Sequence, residues 1–236
     1  MPDNASPVIE QPKSDFVVPG VNDRTIIVGQ TGGGKTWLGV WLLSLQNFDR
    51  MPWIVIDYKG ETLFRELGKQ AWRGFLTPDS PAPRKPGLYL IRPFESDAEA
   101  MDAFLWRVWR RGNVGLYIDE GMMVPAKHGS AMRAILIQGR SKRIPVITLS
   151  QRPVEIDRFF FSEAQYFAEF FLIDRDDRKT LTRYAEFDAD DIPERFHCYW
   201  YDSKTRKVLY LAPVPDKAVF LDTIRRRAPR RFWLDL

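Results

Sequence analysis

The chain of 236 residues predicts an α/β fold: a mostly parallel sheet flanked by helices, with a C-terminal β-hairpin and a short helix. Three observations predict it. Strand and helix signals alternate along most of the sequence. Several strand signals, such as WIVID at residues 53–57 and IPVITL at 144–149, are apolar throughout rather than alternating, which marks strands buried on both faces. A glycine-rich turn joins the first strand to the first helix.

Residues 1–22 carry Pro2, Pro7, Pro12 and Pro19 and read as an extended arm. RTIIV (Arg24–Val28) is the first strand, and residues 36–45 form the first helix. On that helix Trp37 and Trp41 lie four apart, a spacing expected to pack them against the sheet rather than on a base. The second strand, 53–57, leads to a helix near 62–70. Pro78, Pro81, Pro83 and Pro86 make 73–87 a loop. A strand at 88–91 follows. Ser96 then opens a helix with Glu99 three residues on, a capping-box pattern. Met101, Phe104, Leu105, Val108 and Trp109 place one apolar stripe on it. Next come a strand at 114–118, a helix at 130–141, strands at 144–149 and 166–173, and a helical signal at 178–184. Strands near 198–201 and 208–211 flank a turn-like 202–206, and a last helix runs from Lys217 into the arginines. The expected units are the arm, a main domain at 23–215, and a helix with a basic tail at 216–236.

Composition narrows the function classes. With 44% hydrophobic and 28% charged residues, the chain is globular. Cys198 is its single cysteine, which excludes an internal disulfide and an all-cysteine metal site. It is expected to be a buried bystander. His128 and His197 are too few for a zinc site. The net charge of +4 lies wholly in the last twelve residues, which hold five arginines and one aspartate. The neutral body excludes a protein coated in positive charge. No stretch nears the roughly 18–20 apolar residues of a membrane span. The N-terminus lacks a basic start and an apolar region, so a soluble, non-secreted protein is expected.

The chemistry begins at GQTGGGKT, which fits G-x-x-x-x-G-K-[ST] with the strand before it and the helix after it that the motif requires. A phosphate chain needs several backbone N–H groups aimed at it. Gly29, Gln30, Thr31, Gly32, Gly33 and Gly34 supply a tightly curled loop, and the helix N-terminus favours the anion. Lys35 reaches the β- and γ-phosphates, and the Thr36 hydroxyl can ligate Mg²⁺. The strand LYI ends in Asp119-Glu120. The aspartate can hold Mg²⁺, and the glutamate can activate water as a general base. The following strand ends in Ser150-Gln151-Arg152-Pro153, where Gln151 could bond both the γ-phosphate and the lytic water. Arg140 and Arg143, just before that strand, are candidates for a charge-stabilising arginine acting from a neighbouring subunit, Arg140 first. The alternative for both is a basic helix end.

In order, GQTGGGKT, VIDYKGE, LYIDE and GRSKRIPVITLSQRP resemble the FtsK/HerA superfamily of P-loop ATPases, over roughly residues 24–175. The resemblance implies a RecA/ASCE-like fold in which the Gln151 strand lies between the phosphate-loop strand and the Asp119 strand. It implies ATP and Mg²⁺ as cofactors, with Lys35 and Thr36 on phosphate and metal and Asp119 on metal. Glu120 is implied to activate water, Gln151 to sense the γ-phosphate, and Arg140 to act in trans. Asp57 and Lys59 match a feature with no derivable role. The short chain is most similar to small genome-packaging ATPases of tailless double-stranded DNA viruses with an internal membrane.

The function expected is therefore ATP-driven translocation of double-stranded DNA into a preformed capsid, by a homo-oligomeric ring, a hexamer. Backbone contacts would be sequence-independent, with docking on a capsid vertex or portal. Membrane association would come only through partners, at the packaging vertex of the virion and in the host cytoplasm. Candidate DNA contacts are Lys127, within 121–130, and Arg84 and Lys85, within 73–87; a solvated loop is the equal or better alternative for each. Arg225, Arg226, Arg227, Arg230 and Arg231 are candidates for DNA capture or portal docking, or else a solubilising tail. Three competing functions stand beside this one: a conjugation or filamentous-phage export ATPase of the same superfamily, a small-molecule phosphotransferase, and a non-enzymatic assembly factor.

Overall fold

A computed structural model describes residues 16–228. Its elements, in chain order, are β1 (Arg24–Val28), α1 (Lys35–Leu45), β2 (Pro52–Ile56), α2 (Thr62–Glu66), β3 (Trp72–Leu76), β4 (Gly87–Ile91), α3 (Ala98–Arg111), β5 (Gly115–Ile118), α4 (Ala131–Gln138), β6 (Val146–Ser150), α5 (Phe159–Ser162), β7 (Tyr166–Glu169), α6 (Arg175–Thr182), β8 (Cys198–Asp202), β9 (Lys207–Leu211) and α7 (Lys217–Arg227).

The nine strands form one sheet in the order β3-β4-β2-β5-β6-β1-β7-β8-β9. Pairing is parallel from β3 through β7 and antiparallel for the β8–β9 hairpin. The Gln151 strand, β6, does lie between β1 and β5, as the resemblance implies. Continuously apolar strands have the expected cause. Ile26 joins the core on the α3–α6 side, with Phe104, Ile135 and Phe161. Its neighbour Ile27 joins the core on the other side, with Leu38, Phe64 and Phe220. Successive side chains point to opposite faces, and both faces are covered.

The structure corrects four local expectations. Residues 73–87 are not all loop: β3 occupies their start and pairs with β4 at the sheet edge. Its prolines begin only at Pro78, and an edge strand tolerates Arg73 and Gly74. The proline segment itself is pinned to α3, where Arg107 donates to the carbonyls of Ser80, at 3.1 Å, and Pro78. The helix near 62–70 stops at Glu66, because Gly68 adopts a left-handed φ of 76°. The entry to α3 is organised by Asp97, whose carboxylate accepts from the Phe94 N–H at 2.8 Å, rather than by Ser96 and Glu99. Trp37 does not pack on the sheet. It is 39% exposed and meets Phe220 of α7 edge-on, with ring centroids 6.0 Å apart. Trp41 is half-buried, packs against the core as expected, and meets the Phe16 ring at 5.4 Å between centroids.

This order sets the site. Because β5, β6 and β1 are adjacent and parallel, the segments leaving their C-terminal ends converge. Those segments begin at Asp119, Gln151 and Gly29.

Candidate functional site

The phosphate loop is shaped from below by a residue that the motif does not contain. Phe170, just past β7, lies under the glycines. A Cβ on Gly29 would sit 2.5 Å from the Phe170 Cβ, and one on Gly34 would sit 2.8 Å from its ring. Gly34 also holds a left-handed φ of 114° at the start of α1. The loop is tied on both sides: the Gly29 N–H donates to the Ser150 carbonyl at 3.2 Å, and Gln30 N–H to that of Phe171 at 2.9 Å. Lys35 is buried, and its ammonium donates back to the Gln30 carbonyl at 3.0 Å. Burial first, then the nearby Lys59, lowers its pKa to about 8.

Around this loop the sequence-derived residues converge. The Thr31 hydroxyl donates to Gln151 Oε1 at 2.8 Å, and Gln151 Nε2 donates to Glu120 Oε2 at 3.3 Å. Glu120 is buried, and Lys59 pairs with its Oε2. Lys59, whose motif left its role open, thus faces the Glu120 carboxylate. Asp57 organises that strand end. Its carboxylate accepts from the Gly60 and Glu61 N–H groups at 2.8 and 3.0 Å and from Arg92 at 2.8 Å.

Asp119 is 4% exposed, and its Oδ2 has no hydrogen-bond partner. Burial, with Glu61 and Asp57 adding negative charge, pushes its pKa up to about 7. A cation would satisfy that orphaned oxygen, and Thr36 lines the same cleft. One carboxylate and one hydroxyl are a donor set that suits Mg²⁺ shared with phosphate oxygens. Among the described residues no cluster of three or more His, Cys, Asp or Glu could form an all-protein metal cage.

The cleft measures about 1050 Å³ and runs well beyond the phosphate loop. Its far end is apolar, lined by Phe16, Trp37, Trp41, Phe196 and Val214. No local motif announces this end. Buried Cys198 lines it too, with its thiol pKa raised by burial alone.

Other residues singled out from the sequence lie elsewhere. Arg140 and Arg143 are exposed on the turn before β6, at the end of the sheet opposite Gln151, so neither joins this chain's own site. Lys127 is exposed on the segment leaving β5, on the same edge as the site. Arg84 and Lys85 precede β4, on the opposite edge. Two arginines of the basic tail are already engaged within the chain. Arg225 donates to the Glu66 carbonyl at 2.7 Å and pairs with Asp222 at 2.6 Å. Arg227 donates to the Ser44 carbonyl at 2.6 Å and pairs with Asp49 at 2.9 Å. Both fasten α7 to the body, since guanidinium groups satisfy carbonyls at helix C-termini. Among the described residues, Arg226 bonds the Asp222 carbonyl, at 3.3 Å. Arg230 and Arg231 lie outside the described residues.

No protein-family model matches the sequence. The DNA packaging ATPase P9 of Enterobacteria phage PRD1 is 36% identical over 211 residues, which span 84% of this chain and 90% of P9. The genome packaging NTPase B204 of Sulfolobus turreted icosahedral virus 2, solved with AMPPCP, superposes with a TM-score of 0.64 at 14% identity, over 83% of this chain and 100% of B204. ATPases 2 and 3 of Thermomonospora curvata EccC give a TM-score of 0.58 at 15% identity, over 90% of this chain and 44% of that one. The structural likenesses carry the fold, and the sequence relation to P9 carries the kinship. Together with the phosphate loop, they establish that the chain belongs to the viral DNA-packaging ATPases, on a fold like that of the ATPases it superposes on.

Proposed function

We propose that the chain hydrolyses ATP to drive double-stranded DNA into a preformed viral capsid, working as a homo-oligomeric ring, a hexamer. The observation that carries this is the bridge from Thr31 through Gln151 to Glu120. It joins the phosphate loop to a buried carboxylate, which supports a general base for water that a simple phosphate-binding protein or an acceptor-dependent kinase does not need.

In this reading Lys35 and the loop N–H groups of residues 29–36 hold the phosphates. Asp119 and Thr36 would hold Mg²⁺, which supplies charge neutralisation at the transferring phosphate. Gln151 orients the attacking water and registers the third phosphate. Glu120 accepts the proton once Lys59 turns toward the phosphate oxygens. Arg140, with Arg143 beside it, stabilises developing charge in the neighbouring subunit's site, since each lies at the wrong end of the sheet to serve its own.

DNA is held through its phosphates by Lys127, on the catalytic edge. Arg84, Lys85, Arg226, Arg230 and Arg231 are secondary contacts. Docking is to a capsid vertex or portal, in the host cytoplasm during assembly and at the packaging vertex of the virion. Any membrane association runs through partners: among the described residues no helix is long and apolar enough to cross a membrane.

The test mixes two inactive chains. Lys35→Ala and Arg140→Ala are each expected to release almost no phosphate with ATP and double-stranded DNA. Mixed rings should recover part of the wild-type rate, because intact sites form where an Arg140 meets an intact Lys35. Rings of normal size by mass photometry with no recovery would remove Arg140 from the reaction. Wild type that releases no phosphate would overturn the whole reading.

A further inference from the structure

The hydrolysis reading above uses Gln151 and gives no part to its neighbour Arg152 or to α6. Gln151 sits on the turn that leaves β6, and its amide spans from Thr31 to Glu120. A glutamine side chain is flexible, so where its amide arrives depends on where the turn holds its backbone.

That turn is held from outside, by a residue 25 positions beyond Arg152. Asp177, in the first turn of α6, is fully buried. Its Oδ2 accepts from Arg152 Nε at 2.9 Å, and its Oδ1 accepts from the Val154 N–H at 3.0 Å. Both oxygens therefore serve the two residues that flank Pro153. The outer nitrogens of Arg152 lie 3.6 Å from Asp174, the N-cap of α6, and 3.8 Å from Glu155. The next residue, Arg178, is buried as well and turns the other way. It donates to the carbonyls of Leu172, Ile173 and Ala189 at 2.5, 2.8 and 2.6 Å. Leu172 follows directly on Phe170, which underlies the phosphate loop, and Phe171, whose carbonyl accepts from Gln30. Adjacent residues of one helix thus fasten two walls of the site. A carboxylate this buried is costly unless paired, and a buried ion pair adds little net stability over apolar packing. What the Arg152–Asp177 pair supplies is position.

We propose that Asp177 is a positioning residue for ATP hydrolysis: through Arg152 and the Val154 N–H it fixes the turn that carries Gln151, and so sets the amide against Glu120 and the attacking water. The inference rests on the hydrolytic reading of Gln151. Released from the clamp, the turn shifts the amide, and a misplacement of about 1 Å at a group that orients a reactant costs roughly 10²-fold.

The test measures kcat for phosphate release with ATP and double-stranded DNA, and ADP affinity by calorimetry, in the full chain. The variants are Asp177→Asn, Arg152→Ala, Gln151→Ala and the two doubles with Gln151→Ala. Asp177→Asn keeps one acceptor and turns a donor toward the other partner. Arg152→Ala cuts the same link at a side chain 43% exposed, should Asp177→Asn not fold. Each folded single variant should lower kcat by roughly 10- to 100-fold and leave the affinity for ADP, which lacks the third phosphate, unchanged. In the Gln151→Ala background neither should lower kcat further, because residues that act as one unit are not additive. A wild-type kcat in either folded variant would overturn the proposal. So would an equal further loss on top of Gln151→Ala, or ADP affinity that falls in step with kcat, since a merely structural role predicts both. Failure of the underlying reading looks different: Gln151→Ala itself would release phosphate at the wild-type rate, or wild type would release none.

Discussion

The two ends of the cleft are built by opposite means. At the polar end, charges face one another: buried Lys35, Asp119 and Glu120 and the exposed Lys59 follow the C-terminal ends of β1, β5 and β2, with Phe170 beneath the loop. At the apolar end, Trp37, Phe196 and residues 212–215 come from three distant parts of the chain and meet across loops and α7. Chemistry that must be exact sits on the rigid sheet. The apolar end is assembled at the periphery from parts that no single motif contains. The lesson is that a motif in the sequence marks the polar half of a cleft, while its apolar half is legible only in the tertiary fold.

Variants at the polar end should have the largest effects. Lys35→Ala should cut phosphate release by roughly 10³-fold or more and abolish tripolyphosphate binding by calorimetry, since it removes a desolvated cation at the transferring group. Glu120→Gln should slow release by roughly 10²–10⁴-fold, the range of a lost general base, while ADP and tripolyphosphate bind as before. If binding falls instead, Glu120 is holding the loop rather than activating water.

Behind the loop, Glu169 tests how far this charged end extends. It is 1% exposed with both carboxylate oxygens unpartnered. Burial, opposed by Arg178 and reinforced by Asp191, pushes its pKa up from 4.5 to about 8. The fold therefore binds this proton more tightly than the unfolded chain does. The stability it contributes is fully present below about pH 4.5 and is lost as pH rises to about 8. Glu169→Gln should flatten that decline and raise the melting temperature by a few degrees near pH 8.5, where each kcal/mol is worth roughly 2–4 °C. Equal slopes in the two proteins would show that the carboxylate finds a partner in solution.

The smallest effect belongs to the periphery. Arg227→Ala removes the fastening of α7, whose Phe220 braces Trp37. It should lower the melting temperature by about 2–4 °C, the equivalent of about 1 kcal/mol, and leave tripolyphosphate affinity intact. A change in tripolyphosphate binding would mean that the two ends are not separable.

Legibility in the sequence follows the same division. Lys35, Asp119, Glu120 and Gln151 each sit in a contiguous run where an apolar strand turns polar, so local chemistry exposes them. The meeting of those strand ends was implied by the family resemblance, and the strand order agrees with it. Phe170 was missed because nothing near it in sequence says that it lies under glycines 140 residues away. The anchoring of Arg225 and Arg227 was hidden for a related reason. Charge can be counted along a chain, but whether a guanidinium is already bound to the carbonyls ending another helix depends on packing. The strand β3 was hidden because an edge strand need not be apolar, and neighbouring prolines lent it the look of a loop.

The pairing of Lys59 with Glu120 has one further consequence. Both partners of Glu120, the Lys59 ammonium and the Gln151 amide, meet the same atom, Oε2, while Oε1 is buried without a partner. Under the proposed function, a ligand that offers Lys59 a better anion and draws Gln151 toward a third phosphate would strip Oε2 of its compensation and make the carboxylate a stronger base. Fuel would not be merely consumed at such a site; its arrival would be the signal that arms it.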